Sequence, residues 1–377
     1  MLDTSPHLSF PWTQGKNVRF LVDGEQFYPA IIDAIEQAEK YILMEMYLFE
    51  SGEIADKFVD VFVRAVRRGV SVQLLLDAYG ARGLSKNHRL QLSHAGIEVV
   101  FYNPLMFRNF KKNLFRTHRK YWIIDGAKVF VGGAGITDDF HGDNAWRETV
   151  IEVQGSVVTD WQTLFVRNLG HWSNSLVPQP IVLPSKFEKD KACIPARLAY
   201  TKGGSKVEIK NVLLERIEDS EDAIWLASAY FIPSRKTRKA LRRAAINNKD
   251  VRLLLPGEVT DHPAVRYASR RYYSRLLRFG VRVFEYQGRF THTKMVLIDD
   301  WLTIGSCNMD RWNFRWNLEA NQEIEDKGVA AQARQIMMDD FENCHEVKYI
   351  DWVNRSKLQY FKEWLWGRLD KLLMKYL

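Results

Sequence analysis

The apolar positions of this chain fall into two alternating patterns. "FYPAIIDAIEQAEK" carries its hydrophobic residues at helical spacing and runs into "YILMEMYLF", a short apolar run bounded by polar residues. The first predicts an amphipathic helix and the second a buried strand. The pair recurs as "IADKFVDVFVRAVRRG" with "VSVQLLLD", and a further helical piece precedes "AGIEVVFY". Helices alternating with short apolar strands predict an α/β architecture, its sheet covered on both faces.

The same order then returns. "NVLLERIEDSEDAIWLASAYFIP" parallels the first helix and strand, "TRKALRRAAINNKDVRLLLPG" the next pair, and "YYSRLLRFGVRVFEY" parallels "HRLQLSHAGIEVVFY". A repeat with a full domain's worth of elements per copy indicates a duplicated domain rather than a solenoid. The stretch "PQPIVLPSKFEKDKACIPARLAYTKGGSK" is rich in Pro, Gly and Lys and lacks periodicity. The expected division is residues 1–178, a linker over 179–205, a second domain over 206–350, and an amphipathic C-terminal helix over 351–377.

Each half carries one copy of a motif. "THRKYWIID" holds His118, Lys120 and Asp125, and "THTKMVLID" holds His292, Lys294 and Asp299. At this composition about 0.16 matches to His, a base at +2 and an acid at +7 are expected by chance. Two copies at matching places in a repeat therefore carry information. In an extended chain i and i+2 share a face, so the histidine and lysine of each motif are expected to converge on one object.

Two such half-sites brought together by a pseudo-two-fold axis would contain what metal-free attack on a phosphodiester requires. One imidazole, neutral, attacks phosphorus; the other, protonated, donates to the leaving alkoxide; the lysines hold phosphoryl oxygens. An ordinary histidine pKa of about 6.5 makes that split inexpensive near neutrality. A covalent phosphohistidine divides the hard step in two. After the second motif, "GSCN" offers Ser306 and Asn308 for phosphate oxygens. "WRE" offers Glu148 and "RWNLEAN" offers Glu319, since a carboxylate behind an imidazole fixes its tautomer. The plainer reading of either glutamate is a surface charge.

The two His-x-Lys-x4-Asp motifs, each followed by a Gly-rich segment, resemble the phospholipase D superfamily. "HTKMVLIDDWLTIGSCNMD", "NLEANQEI", "HRKYWIIDGAKVFVGGAGI" and the early "DGEQFYPAIIDAIEQAEKYILMEMYLF" are similar to bacterial cardiolipin synthases, in the short form without amino-terminal spans. The resemblance implies two homologous α/β/α lobes with mixed sheets, the active site between them, and no metal or cofactor. It implies phosphatidyl transfer from phosphatidylglycerol to a second phospholipid. By position, His118 is expected as nucleophile and His292 as acid/base, Lys120 and Lys294 at the phosphate, and Asp125 and Asp299 holding the motif architecture. Ser306 and Asn308 are expected in the phosphate pocket, with Glu148 and Glu319 behind the histidines. One departure stands out: "GGAG" puts Gly135 where the family's motif carries asparagine, so one phosphate contact is expected to be missing. A phospholipid- or nucleic-acid-hydrolysing phosphodiesterase is the alternative, and a catalytically silent scaffold a third.

Composition adds a partner class. The 377 residues carry a formal charge of +8, which favours anionic partners, nucleic acid and acidic lipid alike. Cys193, Cys307 and Cys344 show neither metal spacing nor a disulfide framework, which suits a reducing compartment. No apolar run approaches the ~20 residues of a membrane span. "FRNFKKNLFRTHRK" sets Arg108, Lys111, Lys112, Arg116, Arg119 and Lys120 among Phe107, Phe110 and Phe115 without an acid, a pattern suited to lipid phosphates or to stacked bases. In the tail, Leu358, Phe361, Leu365, Leu369, Leu372 and Tyr376 form a stripe flanked by bases and widened by Trp364 and Trp366. That helix suits an interface with an anionic membrane, docking on its own domain, or a partner helix. With the resemblance, the expectation is a peripheral enzyme at the cytoplasmic face of the bacterial inner membrane, with no nucleic-acid partner.

Overall fold

The computed structural model describes residues 9–106, 111–173, 193–203 and 206–376, with side chains described to residue 369. Continuous apolar runs fold as central strands. Tyr41–Met46 is buried along its whole length and pairs in parallel with Ser71–Asp77, which pairs in parallel with Glu98–Tyr102. On its other edge Tyr41–Met46 meets Lys120–Ile124 antiparallel, followed by Lys128–Gly132, Thr149–Gln154 and Thr13–Val22. Both kinds of pairing in one sheet agree with the mixed sheet implied by the resemblance.

The second half repeats this order. Ala223–Ala227 sits between Asp250–Pro256 (parallel) and Met295–Ile298 (antiparallel), and the sheet continues through Trp301–Gly305, Asn317–Glu325 and Ile194–Lys202. Ile194–Lys202 lies inside the stretch expected to be linker, so part of that stretch is a strand of the second sheet. One strand is common to both sheets: Lys16–Val22 pairs with Thr149–Gln154, while Thr13–Gly15 pairs with Ile194–Ala196.

Three cores follow from this arrangement. Outer helices such as Gly24–Glu36 and Glu53–Arg67 cover the first sheet with Phe27, Ile31, Phe58 and Phe62. Leu213, Leu241 and Leu276 do the same for the second. Between the sheets, Val157–Leu169 and Lys327–Glu342 contribute Trp161, Phe165, Met337 and Phe341 to one core shared by both halves. Trp161 also donates its indole N–H to Gln322 across the halves at 2.9 Å. Shared burial of this size holds the lobes in one register, which a site split between them requires.

Candidate active site

The motif aspartates work at the end of each motif strand remote from its histidine. Asp125 and Asp299 adopt positive φ, 53° and 51°, in the turns that follow Lys120–Ile124 and Met295–Ile298. That backbone turns each carboxylate toward three successive amides: Glu39, Lys40 and Tyr41 for Asp125, and Glu221, Asp222 and Ala223 for Asp299. Each staple fixes the start of the neighbouring strand and so the register of its motif. Burial raises the Asp299 carboxyl, but the amides hold it on balance below its ordinary value. Because the folded pKa is lowered, its stabilisation is present above about pH 4 and is lost as the pH falls through the lowered value. Asp299→Ala is expected to cost about 2–3 kcal/mol through stranded amides. Denaturant unfolding checks this, with turnover per folded molecule unchanged.

The histidines leave their strands' mouths and face the opposite lobe. His118 N donates to Leu318 O at 2.9 Å, and His292 N donates to Arg147 O at 2.8 Å. These bonds belong to short parallel bridges between the lobes, Arg116–Thr117 with Asn317–Leu318 and Thr291 with Arg147. In both cases the residue after the accepting carbonyl is the glutamate. The carboxylates therefore cross over: His118 Nδ1 lies 2.9 Å from Glu319 Oε1, and His292 Nδ1 lies 2.8 Å from Glu148 Oε2. An ionised carboxylate only accepts, so with its glutamate ionised each Nδ1 carries the proton and each Nε2 is left for chemistry.

The lysines lie buried beside them. Lys120 Nζ donates to His118 O at 2.6 Å and Lys294 Nζ to His292 O at 2.5 Å, leaving each ammonium protons for another acceptor. Lys294 Nζ is also 3.7 Å from Glu148 Oε2. Burial dominates the electrostatics: it brings Lys120 down to about 7 and lifts Glu148 to about 7. It also holds His292 well below the usual imidazole range, reinforced by Lys294, Lys120 and His118. His118 is lowered by burial too, with Glu319 pulling it back up. An anion placed among these groups would relieve the crowding of positive charge.

The half-sites differ behind the glutamates. Ser306, expected at the phosphate, instead directs its single proton to Glu319 Oε2 at 2.5 Å while accepting from Ala320 N. A hydroxyl has one proton, so in this arrangement Ser306 orients the glutamate. The matching residue of the first half is Gly133, where even a Cβ would fall 2.1 Å from Glu148 Oε2. Asn308 suits the phosphate role: Oδ1 accepts from Tyr230 N at 3.3 Å, and the buried Nδ2 has no partner among the described residues. Gly135, its counterpart, is covered by Leu48, whose Cβ and O would lie 2.8 and 2.9 Å from an added Cβ. Gly135→Asn is accordingly expected to destabilise by about 1–3 kcal/mol without raising turnover, as thermal unfolding and an activity assay would register.

Several contributors were not apparent from sequence. Buried Arg147 grips Asp340 with two bonds, at 2.7 and 2.9 Å, and donates to Glu148 O, locking the segment that carries both Glu148 and the partner carbonyl of His292. Its only sequence signal is its place in "WRE". The ring of Tyr47 stands 4.9 Å from that of His118, while Trp146, Phe140 and Phe290 surround His292 at 5.4 to 5.8 Å. Of the basic run ahead of the first motif, Arg116 turns inward to Asp77 and Asn103 O, and Arg119 to Glu319 O and Thr201 O. These two, with Lys120, are therefore unavailable to a surface; Phe107, Arg108 and Phe110 lie outside the described residues. His118 and Asn308 open onto a cavity of about 750 Å³ whose walls include Leu105, Met106, Leu114, Ile232, Val265 and Trp312.

Comparison with known proteins identifies the family and the fold. The family described as "Cardiolipin synthase, PLD-like domain" matches twice, over residues 31–167 and 213–341. The chain belongs to that family. It is 33% identical to cardiolipin synthase 2 of Bacillus anthracis over 90% of this chain and 67% of that one. It is 31% identical to cardiolipin synthase A of Pseudomonas putida (strain W619) over 93% and 73%. The chain thus spans about two thirds to three quarters of these relatives. In fold it is similar to the phosphatidylserine synthase of Haemophilus influenzae Rd KW20, with a TM-score of 0.74, 17% identity, and coverage of 97% of this chain and 95% of that one.

Proposed function

We propose that this member of the cardiolipin synthase family is a phosphatidyltransferase that forms cardiolipin from phosphatidylglycerol and a second phospholipid. The observation that carries the proposal is the paired His–Glu arrangement beside two buried lysines, at a cavity with apolar walls. One Nε2 attacks phosphorus and the bond to the glycerol oxygen breaks, while the other ring gives that oxygen its proton. The deprotonated ring then takes the proton of a second lipid's hydroxyl, whose oxygen displaces the phosphohistidine nitrogen. Lys120, Lys294 and Asn308 Nδ2 bind the non-bridging oxygens, whose charge grows in the transition state.

Of the two rings His118 lines the cavity and His292 does not, which favours His292 as the attacking ring. His118, at the cavity where alcohols exchange, then serves as acid and base, the reverse of the order expected from sequence. Leu105 and Met106, both exposed beside the cavity, suit acyl chains better than stacked bases and favour phospholipid over nucleic acid. The setting is the surface of an anionic membrane, at the cytoplasmic face of the bacterial inner membrane. Among the described residues no helix is long and apolar enough to cross a membrane.

The test is incubation of pure protein with phosphatidylglycerol vesicles. Cardiolipin and glycerol in equal amounts are expected. Phosphatidic acid alone would make the chain a hydrolase, and cleavage of single-stranded DNA in its place a nuclease.

A further inference from the structure

The C-terminal helix Lys357–Tyr376 is docked the wrong way round for a helix of a soluble domain. Amphipathic helices bury the apolar stripe and leave charge in water. Here Glu363 is 2% exposed and bonded to Arg270 at 3.2 Å and Arg355 at 2.9 Å, while Leu358 is 64%, Phe361 53% and Trp364 45% exposed. Leu365, Trp366 and Leu369 are exposed as well. Among the described residues of the helix the other buried one is Gly367, whose carbonyl accepts from Arg271; a Cβ there would fall 2.5 Å from Arg271 Cδ. A glycine in mid-helix weakens the helix, so its use here goes with close approach to Arg271.

Arg271 also forms the edge of a second cavity. Arg235, Lys236, Arg238, Lys239, Arg242, Arg271 and Arg275 line about 670 Å³ without an acidic residue among them. Arg235, Lys236, Lys239 and Arg275 are exposed, and no ion pair involving any of the seven is found among the described residues. Tyr272 anchors the floor, with the guanidinium groups of Arg238 and Arg271 4.3 and 4.8 Å from its ring. The helix Pro263–Arg270 links the two cavities: Val265 lines the catalytic one, and Arg271 follows the helix into the basic one. At 1.5 Å per residue these positions are about 9 Å apart along the axis.

A concentration of cations beside an uncovered aromatic face matches one partner chemistry on both counts, a bilayer with anionic headgroups. We infer that the basic cavity of the second lobe and the outward face of the C-terminal helix form one docking surface that seats the protein on an anionic phospholipid bilayer. The basic cavity holds headgroup phosphates and the rings enter the headgroup boundary. The inference rests on the lipid reading of the active site, but it concerns residues outside the catalytic machinery.

Flotation of the full chain with phosphatidylglycerol/phosphatidylcholine vesicles and with phosphatidylcholine vesicles alone provides the test. The variants are R235E/K239E/R275E and F361S/W364S/L365S, all at exposed positions. Each surface base contributes about fivefold on an anionic leaflet, so the charge-reversal variant is expected to lose at least about 100-fold in partitioning. The helix variant is expected to lose binding that added salt does not remove. Both should turn over phosphatidylglycerol in detergent mixed micelles within about twofold of the unaltered chain, which separates docking from chemistry. Unaltered vesicle binding by the charge-reversal variant would overturn the inference. So would equal binding to zwitterionic vesicles, or binding to single-stranded DNA that outcompetes anionic vesicles at the same salt. Absence of cardiolipin in micelles with docking intact would instead fault the catalytic reading alone.

Discussion

His118→Ala and His292→Ala are each expected to lower cardiolipin formation by at least about 10³-fold, with the double variant hardly worse than either single one. General acid–base catalysis contributes about 10²–10⁴-fold, and loss of a covalent route adds to it. The non-additivity follows from the scheme, in which attack and proton donation occur in one displacement, so one ring without the other achieves little. Each ring also fills a defined place, His118 against Tyr47 and His292 among three aromatic residues. Far-ultraviolet circular dichroism and thermal unfolding must therefore accompany the micellar assay. Two folded single variants, each retaining a tenth of the activity, would contradict the two-ring displacement.

The second large effect concerns the crossed glutamates. Glu319→Gln is expected to reduce turnover about 10²-fold and to lower the His118 titration further, because the carboxylate that raises that ring's pKa is removed. Glu148→Gln is expected to reduce turnover similarly while leaving His118 close to where it was. Histidine ring titration by nuclear magnetic resonance, together with steady-state rates, separates the two. A shift of His118 in the Glu148 variant and none in the Glu319 variant would mean that each ring is held by its own lobe.

The repeat, the paired motifs and the order of helices and strands were legible because they are written locally, in apolar period and in the spacing of His, Lys and Asp. The crossing of the glutamates was not. It depends on which carbonyl meets His118 N and His292 N across the lobe interface, and the chain distance from each histidine to either glutamate carries no trace of that. Arg147 was hidden for the same reason, since its partner Asp340 lies in the other half. The Ile194–Lys202 strand was masked by the Pro- and Lys-rich residues around it. Arg116 and Arg119 looked like surface cations because a basic run does not reveal which members find Asp77 or a backbone carbonyl inside. In the tail the helix was readable, but not the direction in which its apolar face points. Docking through Glu363 reverses the usual orientation, and the partner arginines, Arg270 and Arg355, could be identified only once the fold was known.

The central claim is that both half-sites act on a single phosphoryl group. Rapid quenching of the protein during turnover of phosphatidylglycerol, followed by mass spectrometry under alkaline conditions that preserve phosphohistidine, counts the adducts directly. The account predicts at most one phosphatidyl group per chain, on His292 with His118 unmodified. Two groups on one chain, or full turnover with no histidine adduct at any quench time, would contradict it.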